Sequence, residues 1–234
     1  MNFSAHTLTI GFLWYIAFLF STVCHEGAHA LAGKLGGDPT AFEAGQVSLN
    51  PLPHIRREPF GLVLVPLLSF VLQGWMMGWA SAPFDPHWQR RHPRRAGWMA
   101  LAGPGANLTL MLMAGIGIRL GLASGAFQLG SGQSLETLIE AADPVRMGFL
   151  ATLLNIFFML NLILMTFNLL PVPPLDGSTG IAVFLPEEKA LRLMDFYSQS
   201  GMAFMGILVA WIGYGYIFQW LAPIAVHLLL FFRL

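Results

Sequence analysis

His25, Glu26 and His29 form the pattern His-Glu-x-x-His inside the stretch VCHEGAHALAGKLGGDP, from Val23 to Pro39 of a 234-residue chain. Residues four apart on a helix share a face, so the two imidazoles project together at a spacing that can grip a zinc ion. Glu26, beside His25, is then placed to take a proton from the water such an ion activates. Two imidazoles leave the ion one ligand short, because a catalytic zinc usually takes three protein ligands and a water. Candidates for the third stand at the edges of apolar segments: Asp38, Glu43, His54, Asp85, His87, His92, Asp143, Asp176 and His227. Asp176 stands out because it closes NLLPVPPLDG, Asn168 to Gly177, where an apolar span ends. Pro171, Pro173 and Pro174 forbid regular helix there and leave carbonyls unpaired. At membrane depth that is tolerated only where protein or a water-filled cavity surrounds them.

The elements that must position these groups are membrane helices. Hydrophobic residues make up 56% of the chain and charged residues only 10%, against about 25% charged in soluble domains, and mean hydropathy is +0.64. Residues 1–25, 59–84, 96–118, 147–175 and 196–232 contain no Asp, Glu, Lys or Arg, and each exceeds the roughly 20 residues a helix needs to cross a bilayer. The first helix is expected from Leu8 to Gly36, capped by Gly36 and Gly37 and stopped by Pro39. Its apolar run has no Lys or Arg before it, so it is expected to be a permanent helix and not a cleaved signal. No stretch of repeats, low complexity or linker divides the chain, which is expected to be a single membrane-embedded domain over 1–234. A net charge of zero asks for no nucleic-acid partner. Cys24, the one cysteine, makes no internal disulfide.

Three ordered motifs, HEGAH at His25 to His29, GPGAN at Gly103 to Asn107 and NLLPVPPLDG at Asn168 to Gly177, resemble the site-2 proteases, the zinc intramembrane metalloproteases. The stretch GQVSLNPLPHI with His54 is similar to a compact subgroup without PDZ or CBS domains, although Arg56 and Arg57 stand where that subgroup tends to have an acidic residue. The resemblance implies one zinc per chain held by His25, His29 and Asp176, with Glu26 as general base. It implies polar roles near the substrate or transition state for Asn107 and Asn168. It also implies hydrolysis of a peptide bond within or beside a transmembrane segment of a membrane protein. Two other readings use the same residues: a zinc-binding membrane transporter, which has no need of Glu26 as a base, and a catalytically inactive scaffold of the same fold.

The expected fold is all-α and polytopic, with about four transmembrane helices, a re-entrant segment and a short β-strand or hairpin near the active site. Alternation in Gly45–Asn50 makes that stretch the candidate strand. If the first helix and Asp176 meet at one ion, an even number of crossings separates them. Residues 60–84, broken by Pro66, Gly74, Gly78 and Pro83, are then the segment that enters and returns. This leaves only Arg119, Arg146 and Arg233 on one side, and the positive-inside rule puts the other Lys and Arg, and the site, toward the cytoplasm of a bacterial-type cell membrane. Gln89 is expected inside; Gln133, Glu136 and Glu140 outside. His54 is expected as a surface or loop-fixing residue and not a ligand, Ser134–Asp143 as a short amphipathic piece capped by Ser134, and Trp211, Tyr214, Tyr216 and Trp220 as an aromatic belt.

Overall fold

The computed structural model describes residues 4–130 and 137–231. In chain order the elements are α1 (Ala5–Gly36), α2 (Thr40–Glu43), α3 (Pro51–Arg57), a π-helical turn at Phe60–Leu64 running into α4 (Val65–Gln73), α5 (Pro86–Arg91), α6 (Pro93–Ala123), β1 (Phe127–Leu129), β2 (Ile139–Ala141), α7 (Pro144–Asn168), α8 (Asp176–Gly180), a 3-10 turn at Ile181–Phe184, α9 (Glu187–Tyr197) and α10 (Met202–Phe231). Helices α1, α6, α7 and α10 are long and apolar enough to cross a membrane. The fold is all-α and polytopic apart from the small β-sheet.

Local chemistry sets the helix ends. Ser4 accepts the Thr7 amide at 3.1 Å to start α1, and Gly37, at φ 101°, ends it with its amide on Gly33 and Lys34 carbonyls, a backbone conformation that favours glycine. Asp143 accepts the amides of Val145 and Arg146 to start α7, with Pro144 in the first turn. Helix α7 stops at Asn168, just before Pro171, Pro173 and Pro174 remove three backbone donors.

The segment from Phe60 does not cross. Its apolar helix ends at Gln73, Gly74 reverses the chain at φ 81°, and the returning strand is tied to the outgoing one by the Trp79 amide on the Gly61 carbonyl at 3.2 Å. A Cβ on Gly61 would overlap the Trp79 backbone, and one on Gly78 the Gly61 carbonyl, so both limbs approach as only glycine permits. This re-entrant hairpin buries Leu62, Phe70 and Met76 against Leu13, Trp14 and Phe18 of α1 and Ile156 and Leu160 of α7. Only α6 and α7 then separate the end of α1 from α8, which returns Asp176 to the side of α1's C-terminus.

Three expectations need correction. Gly45–Asn50 forms turns, because Gly45 sits at φ 73° and Ser48 and Asn50 spend their side chains on the amides of Asn50 and Leu52 at the start of α3. The two strands are instead β1 and β2, antiparallel with Phe127 opposite Ala141, at the opposite ends of α6 and α7 from the histidines. Strand β2 lies where an amphipathic piece was expected; its Ile139 is held at both backbone polar groups by Asn155, at 3.1 and 2.8 Å. Ser134, Gln133 and Glu136 lie outside the described residues. Of the two roles expected for His54 the structure shows the loop-fixing one: it is 1% exposed and its Nε2 bonds the Ser48 carbonyl at 3.0 Å. In the aromatic belt, Tyr214 turns inward to Thr166 at 2.7 Å, while Trp211, Tyr216 and Trp220 are exposed.

Candidate active site

Helix α1 presents His25 and His29 on its buried face, and α8 begins on Asp176. Gly177 allows this junction, since a Cβ there would overlap the Leu169 carbonyl at the end of α7. The Nε2 atoms of the two histidines stand 2.9 Å apart. Asp176 Oδ2 is 3.0 Å from His25 Nε2, and Oδ1 is 3.3 Å from His29 Nε2. Among the described residues no other trio of His, Cys, Asp or Glu converges in this way. Asp38, buried at the end of α1, is engaged elsewhere, accepting the Thr40 hydroxyl and the amides of Thr40 and Asp85. Burial raises its pKa, and these hydrogen bonds outweigh burial and hold it below the ordinary range.

The other ring nitrogens decide what this trio presents. His29 Nδ1 bonds the Met99 carbonyl at 2.8 Å, an oxygen that can only accept, so Nδ1 carries the hydrogen and in the neutral ring, the form that binds a metal, Nε2 keeps a lone pair. His25 Nδ1 bonds Asn107 Oδ1 at 2.6 Å with the same result. Two lone pairs and a carboxylate therefore face one another within hydrogen-bond distance, and Asp176 Oδ2, though buried, has no hydrogen-bond donor aligned on it. Such a set calls for a cation. Ligand atoms about 2.0–2.1 Å from a tetrahedral zinc are about 3.3 Å apart, close to the separations here. Gly103 of α6 faces the gap: a Cβ there would overlap Nε2 of both histidines. The missing side chain leaves room for an ion, so the residues present fit zinc.

Glu26 is 5% exposed and stands outside the trio. With His29 and Asp176 it lines a cavity of about 410 Å³. The opposite wall is the returning limb of the re-entrant hairpin, Ala80 to Phe84. Along this limb the Met77 amide bonds Ser69 Oγ, the Trp79 amide Gly61, the Ser81 carbonyl Arg57 Nε and the Asp85 amide Asp38. Ala80, Ala82 and Phe84 make no backbone hydrogen bond to the described residues. Met77, Trp79, Ser81 and Asp85 thus tie the limb to the protein, while Ala80, Ala82 and Phe84 between them present an open backbone edge. Arg57 acquires a structural role here, joined by Glu58, whose carboxylate accepts Ser81 Oγ at 2.6 Å.

Both asparagines are engaged by neighbouring protein groups. Asn107 is fully buried, with Oδ1 on His25 and Nδ2 on Asn161 at 2.8 Å, so it lies behind the imidazole and not in front of a substrate. Asn168 is partly buried and turns its amide onto the Leu164 carbonyl of its own helix at 3.0 Å. Sequence reasoning missed Gly103, Asn161 and the Ala80–Phe84 edge. The GPGAN motif marks Gly103, and a neutral Asn inside an apolar helix is the signal for Asn161.

The chain matches peptidase family M50 over residues 13–212, and it belongs to that family, the site-2 proteases. It is 32% identical over 200 residues to YwhC of Bacillus subtilis, a zinc metalloprotease by name, covering 85% of this chain and 80% of the relative. It is 29% identical over 175 residues to Rip2 of Mycolicibacterium smegmatis, also a zinc metalloprotease by name, covering 75% of this chain and 58% of the relative. No solved structure matches the chain.

Proposed function

We propose that this membrane-embedded metalloprotease cleaves a peptide bond within or beside a transmembrane segment of a substrate protein. The observation that carries the proposal is the shared cavity, in which Glu26, His29 and Asp176 face a backbone edge with free amides and carbonyls. His25, His29 and Asp176 would hold one zinc per chain. That ion supplies Lewis acidity, polarising a scissile carbonyl and acidifying water.

The chain's own residues do the rest. Glu26 accepts the proton of the attacking water and returns it to the nitrogen of the leaving amine. A helical substrate hides its amides in its own hydrogen bonds, so the segment to be cut must unwind. Ala80, Ala82 and Phe84 offer replacement partners by strand addition. The small side chains of Ala80 and Ala82 leave that edge open to close approach.

The test is to incubate purified protein in lipid vesicles with a transmembrane-helix peptide and zinc, and to read products by mass spectrometry. The expected result is a discrete cut within or next to the apolar segment, abolished by a zinc chelator. Zinc crossing the vesicle membrane with the peptide left intact would favour a transporter and overturn the proposal.

The site is further proposed to open toward the cytoplasm. With the hairpin re-entrant, Lys34, Arg56, Arg57, Arg90, Arg91, Arg94, Arg95, Lys189 and Arg192 share the side of the histidines, as the positive-inside rule expects of a cytoplasmic face. In a Cys24→Ser background, a cysteine at Gln89 should resist an impermeant thiol reagent in whole cells, while one at Gln128, in β1, should react. Labelling at Gln89 but not at Gln128 would reverse the orientation.

A further inference from the structure

A buried hydrogen-bond chain runs away from the site behind His25. Asn161 Nδ2 donates to Ser21 Oγ and to the Phe157 carbonyl, each at 2.9 Å. Asn161 Oδ1 accepts from Asn107 Nδ2 at 2.8 Å, Asn107 Nδ2 also lies 3.4 Å from the Ser21 carbonyl, and Asn107 Oδ1 accepts from His25 Nδ1 at 2.6 Å. Ser21, Asn107 and Asn161 are all 0% exposed.

The direction of this chain is not free. A backbone carbonyl can only accept, so the Phe157 oxygen fixes which end of the Asn161 amide is nitrogen. That leaves Asn161 Oδ1 toward Asn107, which turns Asn107's nitrogen to Asn161 and its oxygen to His25. A neutral His25 must then carry its hydrogen on Nδ1 and present a lone pair at Nε2, the atom facing His29 and Asp176. With the Asn107 amide reversed, its NH2 would meet Nδ1, and a neutral imidazole would carry its hydrogen on Nε2 instead. A ring in that form cannot bind a metal through Nε2.

We infer that Asn161 is a positioning residue for metal binding: anchored by Phe157 and Ser21, it fixes the orientation of the Asn107 amide and through it the tautomer of His25. The inference rests on the proposed zinc site. It extends that site by Asn107 of α6 and Asn161 of α7, on two helices that supply no ligand. Partners that orient metal-bound histidines typically change metal affinity ten- to a hundredfold when removed.

Asn155 provides the internal control. It is also an asparagine on α7 and also 0% exposed, but it holds β2 at the far end of the helix. Zinc affinity of the full-length protein in detergent, measured by competition with a fluorescent chelator, should fall ten- to a hundredfold in Asn161→Leu and stay at the wild-type value in Asn155→Leu. Ser21→Ala, a smaller excision, should fall by less than Asn161→Leu and still lie below Asn155→Leu, and it decides the matter if Asn161→Leu does not fold. Wild-type affinity in both Asn161→Leu and Ser21→Ala, or an equal loss in Asn155→Leu, would overturn the inference while leaving the zinc site standing. A wild-type protein that binds no zinc would bring down the site itself.

Discussion

Glu26→Gln retains its zinc and loses turnover. The carboxamide has the size and shape of the carboxylate, so the α1 face carrying His25 and His29 is undisturbed, and Glu26 is not one of the three converging groups. What disappears is the proton acceptor. General acid–base groups contribute about a hundredfold to ten-thousandfold to rate, and the measured kcat should drop by that range with metal content unchanged. Inductively coupled plasma mass spectrometry gives the zinc, and peptide cleavage the rate. Loss of zinc in Glu26→Gln would make Glu26 a ligand, and full activity would remove it from the mechanism.

Gly103→Ala does the reverse, removing zinc by adding a methyl group. Alanine is favoured over glycine inside a helix by about 1 kcal/mol, so α6 itself gains. Yet the new Cβ would overlap Nε2 of both His25 and His29, in the space the metal needs. Zinc content should fall from one per chain toward zero in a protein whose helical circular dichroism and detergent elution are those of the wild type. Retention of stoichiometric zinc would show that α6 can shift away, or that the ion lies elsewhere. The pairing with Glu26→Gln is informative because one variant separates chemistry from metal and the other separates metal from fold.

How far the site could be read in advance follows from which residues announce themselves. His25, His29 and Asp176 stood out because ionisable side chains among apolar ones are costly and therefore few. The re-entrant course of residues 60–84 was legible from glycines and prolines combined with the requirement that two distant segments reach one ion. Gly103 acts by having no side chain, which becomes visible only once α6 crosses α1. Asn161 and Ser21 are neutral, and their role depends on which carbonyls they meet.

The expected strand, Gly45–Asn50, has side chains that alternate in polarity; the open backbone beside the site is Ala80–Phe84, where they do not. There the backbone is held by hydrogen bonds to Ser69, Gly61, Arg57 and Asp38 from other parts of the fold. Side-chain polarity could not report it.

Zinc-edge X-ray absorption on the purified wild-type protein tests the central claim most directly, because it reads the donor atoms themselves. With His25, His29 and Asp176 as ligands, the first shell should contain only nitrogen and oxygen at about 2.0–2.2 Å, with outer-shell scattering from two imidazoles. Cys24 is the only thiol in the chain, so a sulfur shell at about 2.3 Å, or a spectrum without imidazole scattering, would contradict the account.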